Sequence, residues 1–265
     1  MAVSHGSIQL VKKYKQPDPL MQGPTMPHTS AQNIKGIVFD KDGTLFDFHK
    51  TWIAAARQAA SLASGGDRAM AELLLAAGGL DYSTGRFLPD SVIAAGHTGE
   101  LAELWVDLGA VLPRQVLHSR IEEVFNRLSV ANASPVTDLA ELFSFFRDKK
   151  ILTGIATNDS YAGAVAAVEE FNLKDLVCFV SGYDSGFGPK PGPGMVRAFC
   201  RSAGLAPEKV AVVGDSEHDM LMGRLAGAGL LVGVLTGAGT RQSLGKSAHL
   251  IVEDISCLKG LIAKS

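Results

Sequence analysis

The sequence predicts an α/β protein: a doubly wound, Rossmann-like parallel sheet with an all-helical domain inserted after its first strand. Two observations lead to this prediction. Short apolar runs alternate with helix-like segments along most of the chain, which is typical of parallel β-α units. One long stretch, residues 49–136, interrupts that alternation with helix-like segments alone.

The predicted strands are short apolar runs that end in polar or glycine-rich residues, as expected for strands buried on both faces of a parallel sheet. The first contains Ile37, Val38 and Phe39. Later strands are predicted at residues 151–157, 176–180, 210–213, 230–235 and 249–252, with helices between them at 159–171, 194–203 and 217–226. This alternation predicts helices on both faces of the sheet.

The interrupting stretch is rich in alanine and predicts helices at residues 51–64, 67–77, 100–108 and 113–128. It is too long for a crossover connection and too helical for a loop. We interpret residues 49–136 as a cap domain on a catalytic core formed by residues 34–48 and 137–265. Residues 1–33 contain several prolines without sustained periodicity, and we expect them to form a loosely ordered tail.

Bulk composition narrows the classes of function. A content of 46% hydrophobic residues can build a sizeable core. A formal net charge of −2 argues against general nucleic-acid binding, which needs a basic excess. No apolar run is long enough to span a bilayer. Cys178, Cys200 and Cys257 are widely spaced and lack a metal-ligand pattern, so we expect buried, reduced thiols in a cytoplasmic protein.

Polar residues suited to a phosphate and a metal follow four of the predicted strands. In chain order they are Asp40 and Asp42, Thr157 and Asn158, Lys190, and Asp215 and Asp219. The carboxyl ends of parallel strands meet at one edge of a sheet, so we expect these residues to share a site. Thr157 offers a phosphate a hydroxyl, and Asn158 offers a backbone N–H. Gly43 follows the first acid pair and allows the turn that brings both carboxylates to the site.

These residue types suit the hydrolysis of a phosphate ester. A phosphate dianion repels a nucleophile, so a catalyst must offset charge as well as align the attacker. The Asp40 carboxylate can attack, and Mg²⁺ prefers the oxygen ligands of Asp40, Asp215 and Asp219. Lys190 adds positive charge, and Asp42 can protonate the leaving oxygen and then activate water. The sequence therefore predicts a Mg²⁺-dependent phosphatase that acts through an aspartyl-phosphate intermediate.

Taken in this order over residues 34–252, the motifs resemble those of the haloacid dehalogenase superfamily. The resemblance implies a role for each matching residue: Asp40 is the nucleophile, Asp42 is the acid/base and binds Mg²⁺ through its backbone carbonyl, Thr157 and Lys190 bind phosphate, and Asp215 and Asp219 hold the Mg²⁺. The inserted helices resemble the cap of the phosphoglycolate phosphatase and β-phosphoglucomutase branch. Two features depart from the pattern: Lys41 stands where apolar residues are common, and residues 188–194 are unusually rich in proline.

The inserted stretch offers few candidates for binding the rest of the substrate. Arg86 lies in a polar break between predicted helices, where a guanidinium suits a substrate carboxylate or a second phosphate. His49 and Lys50, at the junction with the core, are the next candidates. Because a closing cap limits substrate size, we expect a small-molecule phosphate ester, with phosphoglycolate as the first candidate.

Three alternatives stay open at this point. A phosphomutase of the β-phosphoglucomutase type shares all the core residues and differs in how the cap excludes water. A receiver-like signalling module also phosphorylates an aspartate on a doubly wound sheet, although the large insertion and Asp42 argue against it. The third alternative is a catalytically silent binding protein on the same fold. Dehalogenase chemistry is disfavoured, because it has no leaving alkoxide for Asp42 to protonate.

Overall fold

The described part of the computed structural model is residues 31–263. The tail predicted at residues 1–33 lies outside this range, apart from Ala31–Asn33, which form a short 3₁₀ turn. The predicted fold class is confirmed: a parallel sheet is flanked by helices on both faces, and a largely helical segment follows its first strand.

The strands are β1 (Gly36–Phe39), β2 (Leu80–Asp81), β3 (Arg86–Phe87), β4 (Leu152–Ala156), β5 (Phe179–Ser181), β6 (Val210–Gly214), β7 (Leu230–Val234) and β8 (Leu250–Val252). Six of them form one sheet in the order β5-β4-β1-β6-β7-β8. The central strand β1 pairs in parallel with β4 on one side and with β6 on the other. Because the chain builds outward through β4 and β5 and then crosses to β6, the topological switch point lies at β1.

The helices are α1 (Phe48–Ala63), α2 (Arg68–Gly78), α3 (Val92–Ala95), α4 (Thr98–Asp107), α5 (Arg114–Ala131), α6 (Leu139–Asp148), α7 (Tyr161–Glu170), α8 (Gly194–Ala203), α9 (Glu217–Ala226), α10 (Arg241–Leu244) and α11 (Cys257–Ala263). Successive residues of β1 face opposite sides of the sheet. Ile37 and Phe39 pack in one hydrophobic cluster with Phe143 of α6, whereas Val38 packs in another with Phe199 of α8. Strand β1 is therefore buried on both faces.

Helices α1 to α5 surround a further hydrophobic cluster, which also contains Ala238 from the loop after β7. The indole of Trp105 is fully buried there and donates a hydrogen bond to the Leu74 carbonyl at 2.9 Å. Carboxylates cap the first two helices: Asp47 accepts a hydrogen bond from an N–H of α1, and Asp67 accepts two from α2. The inserted residues thus hold their own apolar core, and their role as a separate cap stays a prediction.

The insertion is not entirely helical, because β2 and β3 form a two-stranded antiparallel hairpin. Its turn is held by the Asp81 carboxylate, which accepts hydrogen bonds from the N–H and hydroxyl of Ser83 and from the hydroxyl of Thr84. Strands of two residues are too short to produce an alternating pattern. The sequence therefore predicted only a break between helices at this position.

The three thiols are free, as expected. Only Cys200 is buried, however, so the expectation of buried thiols was wrong for Cys178 and Cys257. Cys178 directly precedes the edge strand β5, and Cys257 begins α11, where solvent reaches the backbone. Within residues 31–263, no helix is both long enough and apolar enough to cross a membrane.

Candidate active site

The predicted core residues come together at the carboxyl end of the sheet, where they line one cavity: Asp40, Asp42, Thr157, Asn158, Lys190, Asp215 and Asp219. Strands β1, β4 and β6 end immediately before Asp40, Thr157 and Asp215, so each strand delivers its polar residue directly to this edge. The cavity volume is about 50 Å³, which is enough space for a phosphoryl group.

The ammonium group of Lys190 joins two of the carboxylates. Its Nζ donates hydrogen bonds to Asp40 Oδ1 and Asp219 Oδ1, each at 2.6 Å. Burial opposes the charge on this side chain, but the Asp219 and Asp40 carboxylates together raise the pKa of Lys190 above its ordinary value. Lys190 therefore stays cationic and holds together two carboxylates that would otherwise repel each other.

The other carboxylate oxygen of Asp40, Oδ2, is buried and has no hydrogen-bond partner among the described residues. Burial raises the pKa of Asp40 to about 7 against the opposing effect of Lys190, and Asp219 and Asp42 add to the rise. A buried polar atom without a partner is costly, so it marks a place where a ligand belongs. Oδ2 is thus available to a cation or to a phosphorus atom.

Three buried carboxylates form a candidate metal site. One oxygen from each of Asp40, Asp215 and Asp219 lies within 4.8 Å of the other two. Asp215 Oδ2 accepts a hydrogen bond from the Ala238 N–H at 2.8 Å, and Asp219 Oδ2 accepts two from Ser216. Burial raises the pKa of Asp215 well above its ordinary value. An all-oxygen donor set of this charge, with an unsatisfied oxygen on Asp40, fits Mg²⁺.

The Asp42 carboxylate is bonded to Lys41, which the sequence analysis noted only as a departure from the family pattern. Lys41 Nζ lies 2.6 Å from Asp42 Oδ2 and 3.0 Å from Asp159 Oδ2. Burial raises the pKa of Asp42 against the opposing charge of Lys41, and Asp159 adds to the rise. The sequence analysis did not name Asp159 as a site residue, although an acid directly after the Thr157-Asn158 pair was a usable signal. Whether the Asp42 backbone carbonyl binds Mg²⁺ is a separate question, and that role stays a prediction.

Thr157 and Asn158 make structural hydrogen bonds beside the cavity. The buried hydroxyl of Thr157 accepts a hydrogen bond from the Asp159 N–H at 3.0 Å. The Asn158 side chain accepts one from the Lys190 N–H at 2.8 Å and donates to the carbonyls of Lys190 and Ala95, at 3.3 and 2.8 Å. Asn158 thus fixes the lysine loop and also contacts the insertion, while phosphate binding by both residues stays a prediction.

The insertion closes the cavity through residues 92–98, which we call the roof segment and all of which line the cavity. Besides Asn158, the ring of His218 contacts the Ala95 carbonyl, with Nδ1 at 2.9 Å. Next to the roof segment, the Glu217 N–H donates to Asp90 Oδ1 at 3.2 Å. Sequence reasoning missed this segment because it holds mostly small and apolar residues.

A second element that the sequence analysis missed is the loop at residues 236–239, which follows β7. The Thr236 hydroxyl donates a hydrogen bond to the Gly43 carbonyl at 2.6 Å. A Cβ atom at Gly237 would overlap the Asp215 carboxylate. Gly43 has a φ of +91°, and a Cβ there would lie 2.6 Å from Asp215 Cγ. The Gly-Ala-Gly sequence directly after a buried strand was the available signal.

None of the three candidates for substrate binding in the insertion lines the cavity; they are Arg86, His49 and Lys50. Arg86 is exposed on β3. His49 stacks on Phe87, and both of its ring nitrogens lack hydrogen-bond partners within the described range. The Lys50 side chain is 68% exposed and lies 3.4 Å from Asp47. Their roles in substrate binding stay predictions that this geometry does not strengthen.

We expect Gly237→Ala to weaken Mg²⁺ binding by about 10- to 100-fold, the usual effect of disturbing a metal ligand through its neighbours. The added methyl group would displace the Asp215 carboxylate. Titration calorimetry with MgCl₂ measures the effect. Gly260→Ala is the matched control, because no atom lies within 4 Å of its added Cβ. Wild-type affinity in Gly237→Ala would contradict the assignment of Asp215 as a ligand.

The raised pKa of Asp40 predicts a pH-dependent effect of Mg²⁺ on stability. Between pH 3.8 and about 7, the folded metal-free chain binds this proton more tightly than the unfolded chain. Its stability should therefore fall as the pH rises through that window. Mg²⁺ removes this penalty by replacing the proton, so its increment in Tm should be larger near pH 8 than near pH 5. Thermal unfolding with Mg²⁺ and with EDTA at both pH values measures this, and equal increments would refute it.

Comparisons with known proteins agree with this geometry. An N-acetylmuramic acid 6-phosphate phosphatase from Pseudomonas putida is 24% identical over 73% of this chain and 80% of its own length. A phosphoglycolate phosphatase from Rhodospirillum rubrum is 30% identical over 39% of this chain and 43% of its own. A haloacid dehalogenase-like hydrolase structure from Bacteroides fragilis superposes with a TM-score of 0.69 at 16% identity, covering 85% of this chain and 99% of that one. Residues 34–227 match the family itself, and the chain therefore belongs to the haloacid dehalogenase-like hydrolases.

Proposed function

We propose that this hydrolase is a Mg²⁺-dependent phosphatase that removes the phosphoryl group from a small metabolite through an aspartyl-phosphate intermediate. The observation that carries the proposal is the buried, unpartnered Oδ2 of Asp40, next to the Lys190 cation and in the same cavity as Asp42. Relatives named as phosphatases support hydrolysis of phosphoric monoesters. The proposal includes a cytoplasmic location, where free thiols stay reduced.

In the first step, Oδ2 of Asp40 attacks the phosphorus atom, and the bond between phosphorus and the ester oxygen breaks. The proton of Asp42 passes to the departing oxygen, which leaves as an alcohol. Burial supports this role, because it raises the pKa of Asp42 and so favours the protonated acid. The hydrogen bond from Lys190 to Oδ1 of Asp40 orients the carboxylate so that Oδ2 is the free oxygen.

In the second step, the ionised Asp42 takes a proton from a water molecule, whose oxygen attacks the phosphorus of the aspartyl phosphate. The bond between phosphorus and Asp40 breaks, which releases inorganic phosphate and restores the carboxylate. Bound to Asp40, Asp215 and Asp219, Mg²⁺ would supply positive charge that offsets the repulsion between phosphate and carboxylates. Lys190 adds a second positive charge at the same place.

The same cavity argues against the two alternative activities. A mutase that works through a bisphosphate must hold a second phosphate dianion, and that requires arginine or lysine. Within the described insertion, no lysine or arginine lines the cavity. A receiver-like module must expose its aspartate to a phosphodonor protein, but Asp40 is only 6% exposed. Hydrolysis of a small ester is the activity that this closed site favours.

We further propose that residues 49–136 act as a cap that opens to admit substrate. The roof segment lines the same cavity as the carboxylates and Lys190, so its movement would open a path to Asp40. Tyr183, in the loop after β5, makes three contacts that hold the insertion closed. Its hydroxyl donates to Glu122 Oε1 at 2.8 Å and lies 2.9 Å from His118 Nε2. Its ring stacks on His97 of the roof segment.

Asp40→Asn should lower phosphatase activity by at least about 10³-fold, because an amide is a poor nucleophile and a poor Mg²⁺ ligand. An assay with an aryl phosphate and MgCl₂ measures the loss, and thermal unfolding confirms that the variant is folded. Asp148→Asn makes the same chemical change at a carboxylate that is 72% exposed and should keep wild-type activity. A loss of less than tenfold in Asp40→Asn would reject the proposed mechanism.

Tyr183→Phe should lower kcat/KM by about three- to tenfold, since it removes the hydrogen bond to the Glu122 carboxylate and keeps the ring on His97. Binding of Mg²⁺ should not change, because the variant leaves the carboxylates in place. Tyr161→Phe, at a tyrosine that is 49% exposed, is the matched control. Steady-state kinetics on the wild type, Tyr183→Phe and Tyr161→Phe measures the effect. Equal kcat/KM values would show that the Tyr183 hydroxyl does not contribute to cap closure.

A further inference from the structure

The cavity has two walls of opposite character. The wall from the core is polar and carries the carboxylates together with Lys190. The opposite wall is apolar and aromatic. Its largest side chains are Trp52, Ile93, Leu101 and Phe125 of the insertion, together with Phe48 at the junction with the core. The phosphoryl group belongs at the polar wall beside Asp40. When the insertion closes again over a bound ester, the rest of the substrate faces the apolar wall, which covers the opposite side of the same cavity.

The insertion provides no cation to this space. Every lysine and arginine between residues 49 and 136 is exposed, and none of them lines the cavity. The polar side chains of the roof segment are those of His97 and Thr98. His97 Nδ1 accepts a hydrogen bond from the Gly99 N–H at 3.2 Å, and its Nε2 lies 3.9 Å from Glu100 Oε1.

The two buried lysines of the core are already paired with carboxylates. Lys190 contacts both Asp40 and Asp219 at 2.6 Å. Lys41 lies between Asp42 and Asp159, at 2.6 and 3.0 Å. A carboxylate on the leaving group would therefore meet hydrocarbon on one side and like charges on the other. Burying a charge without a partner is strongly unfavourable.

We infer that the substrate is the phosphate ester of an uncharged alcohol whose hydrocarbon surface packs on the apolar wall. This inference rests on the proposed phosphatase function and adds its substrate class. An uncharged alcohol leaves no unpaired charge at the insertion wall, and each apolar contact there removes hydrocarbon from water. His97 and Thr98, which line the cavity, are the polar residues of the roof segment that would meet a polar atom of the alcohol. Phosphoglycolate, with its carboxylate next to the ester carbon, belongs to the disfavoured class.

Two matched pairs of substrates test the inference on the wild-type enzyme with Mg²⁺. The first pair is 2-hydroxyethyl phosphate and 2-phosphoglycolate, and the second is phenyl phosphate and 4-carboxyphenyl phosphate. Within each pair, the members differ chiefly by one carboxylate. We expect kcat/KM to favour the neutral ester by about tenfold or more in both pairs. Equal values, or a preference for the carboxylated ester in either pair, would overturn the inference and leave the phosphatase proposal intact.

A second test places a lysine on the apolar wall of the cavity. Ile93→Lys should raise the ratio of kcat/KM for the carboxylated ester to that for the neutral ester by about tenfold. Val116→Lys, at an α5 side chain that is 46% exposed, should leave this ratio unchanged. If Ile93→Lys does not fold, the wild-type ratios still decide. Absence of Mg²⁺-dependent turnover for all four esters would instead reject the phosphatase proposal, and the inference with it.

Discussion

Five carboxylates and two ammonium groups are packed together at the carboxyl end of the sheet, and the rest of the site depends on how their charges are balanced. The acids are Asp40, Asp42, Asp159, Asp215 and Asp219, and the bases are Lys41 and Lys190. Five negative charges less two positive charges leave three to be met by protons or by a bound cation. Burial raises the pKa values of Asp40, Asp42 and Asp215, and repulsion from neighbouring carboxylates adds to each rise. The site is built to receive positive charge before it receives a phosphate.

Much of this site could be predicted from sequence because parallel strands deliver their ends to one place. Once Gly36–Phe39 and Val210–Gly214 are recognised as buried strands, Asp40 and Asp215 must lie at the same edge, whatever the packing details. The helical content of the insertion was equally accessible, since long periodic segments give a strong signal. These predictions rest on local pattern and on one rule of topology.

The remaining features depend on contacts between distant residues, which no local pattern reveals. The N–H of Ala238 holds Asp215, yet a backbone donor has no sequence signature beyond the glycines on either side. Helix α6 was not predicted, although its apolar side chains complete one face of the sheet. Arg86 was chosen because charged residues suggest binding, whereas the wall that the insertion gives the cavity is mostly apolar. A search of the sequence for polar residues does not find such a wall.

The roof segment is attached to the core through the main chain at Ala95 and through the ring of His97, which stacks on Tyr183. Two core residues, Asn158 and His218, contact the carbonyl oxygen of Ala95, and every amino acid has such an oxygen. The side chains at positions 92, 93 and 94 take no part in these contacts. Substitutions at these three positions can therefore alter the surface opposite the catalytic carboxylates while the contacts that hold the segment to the core are kept.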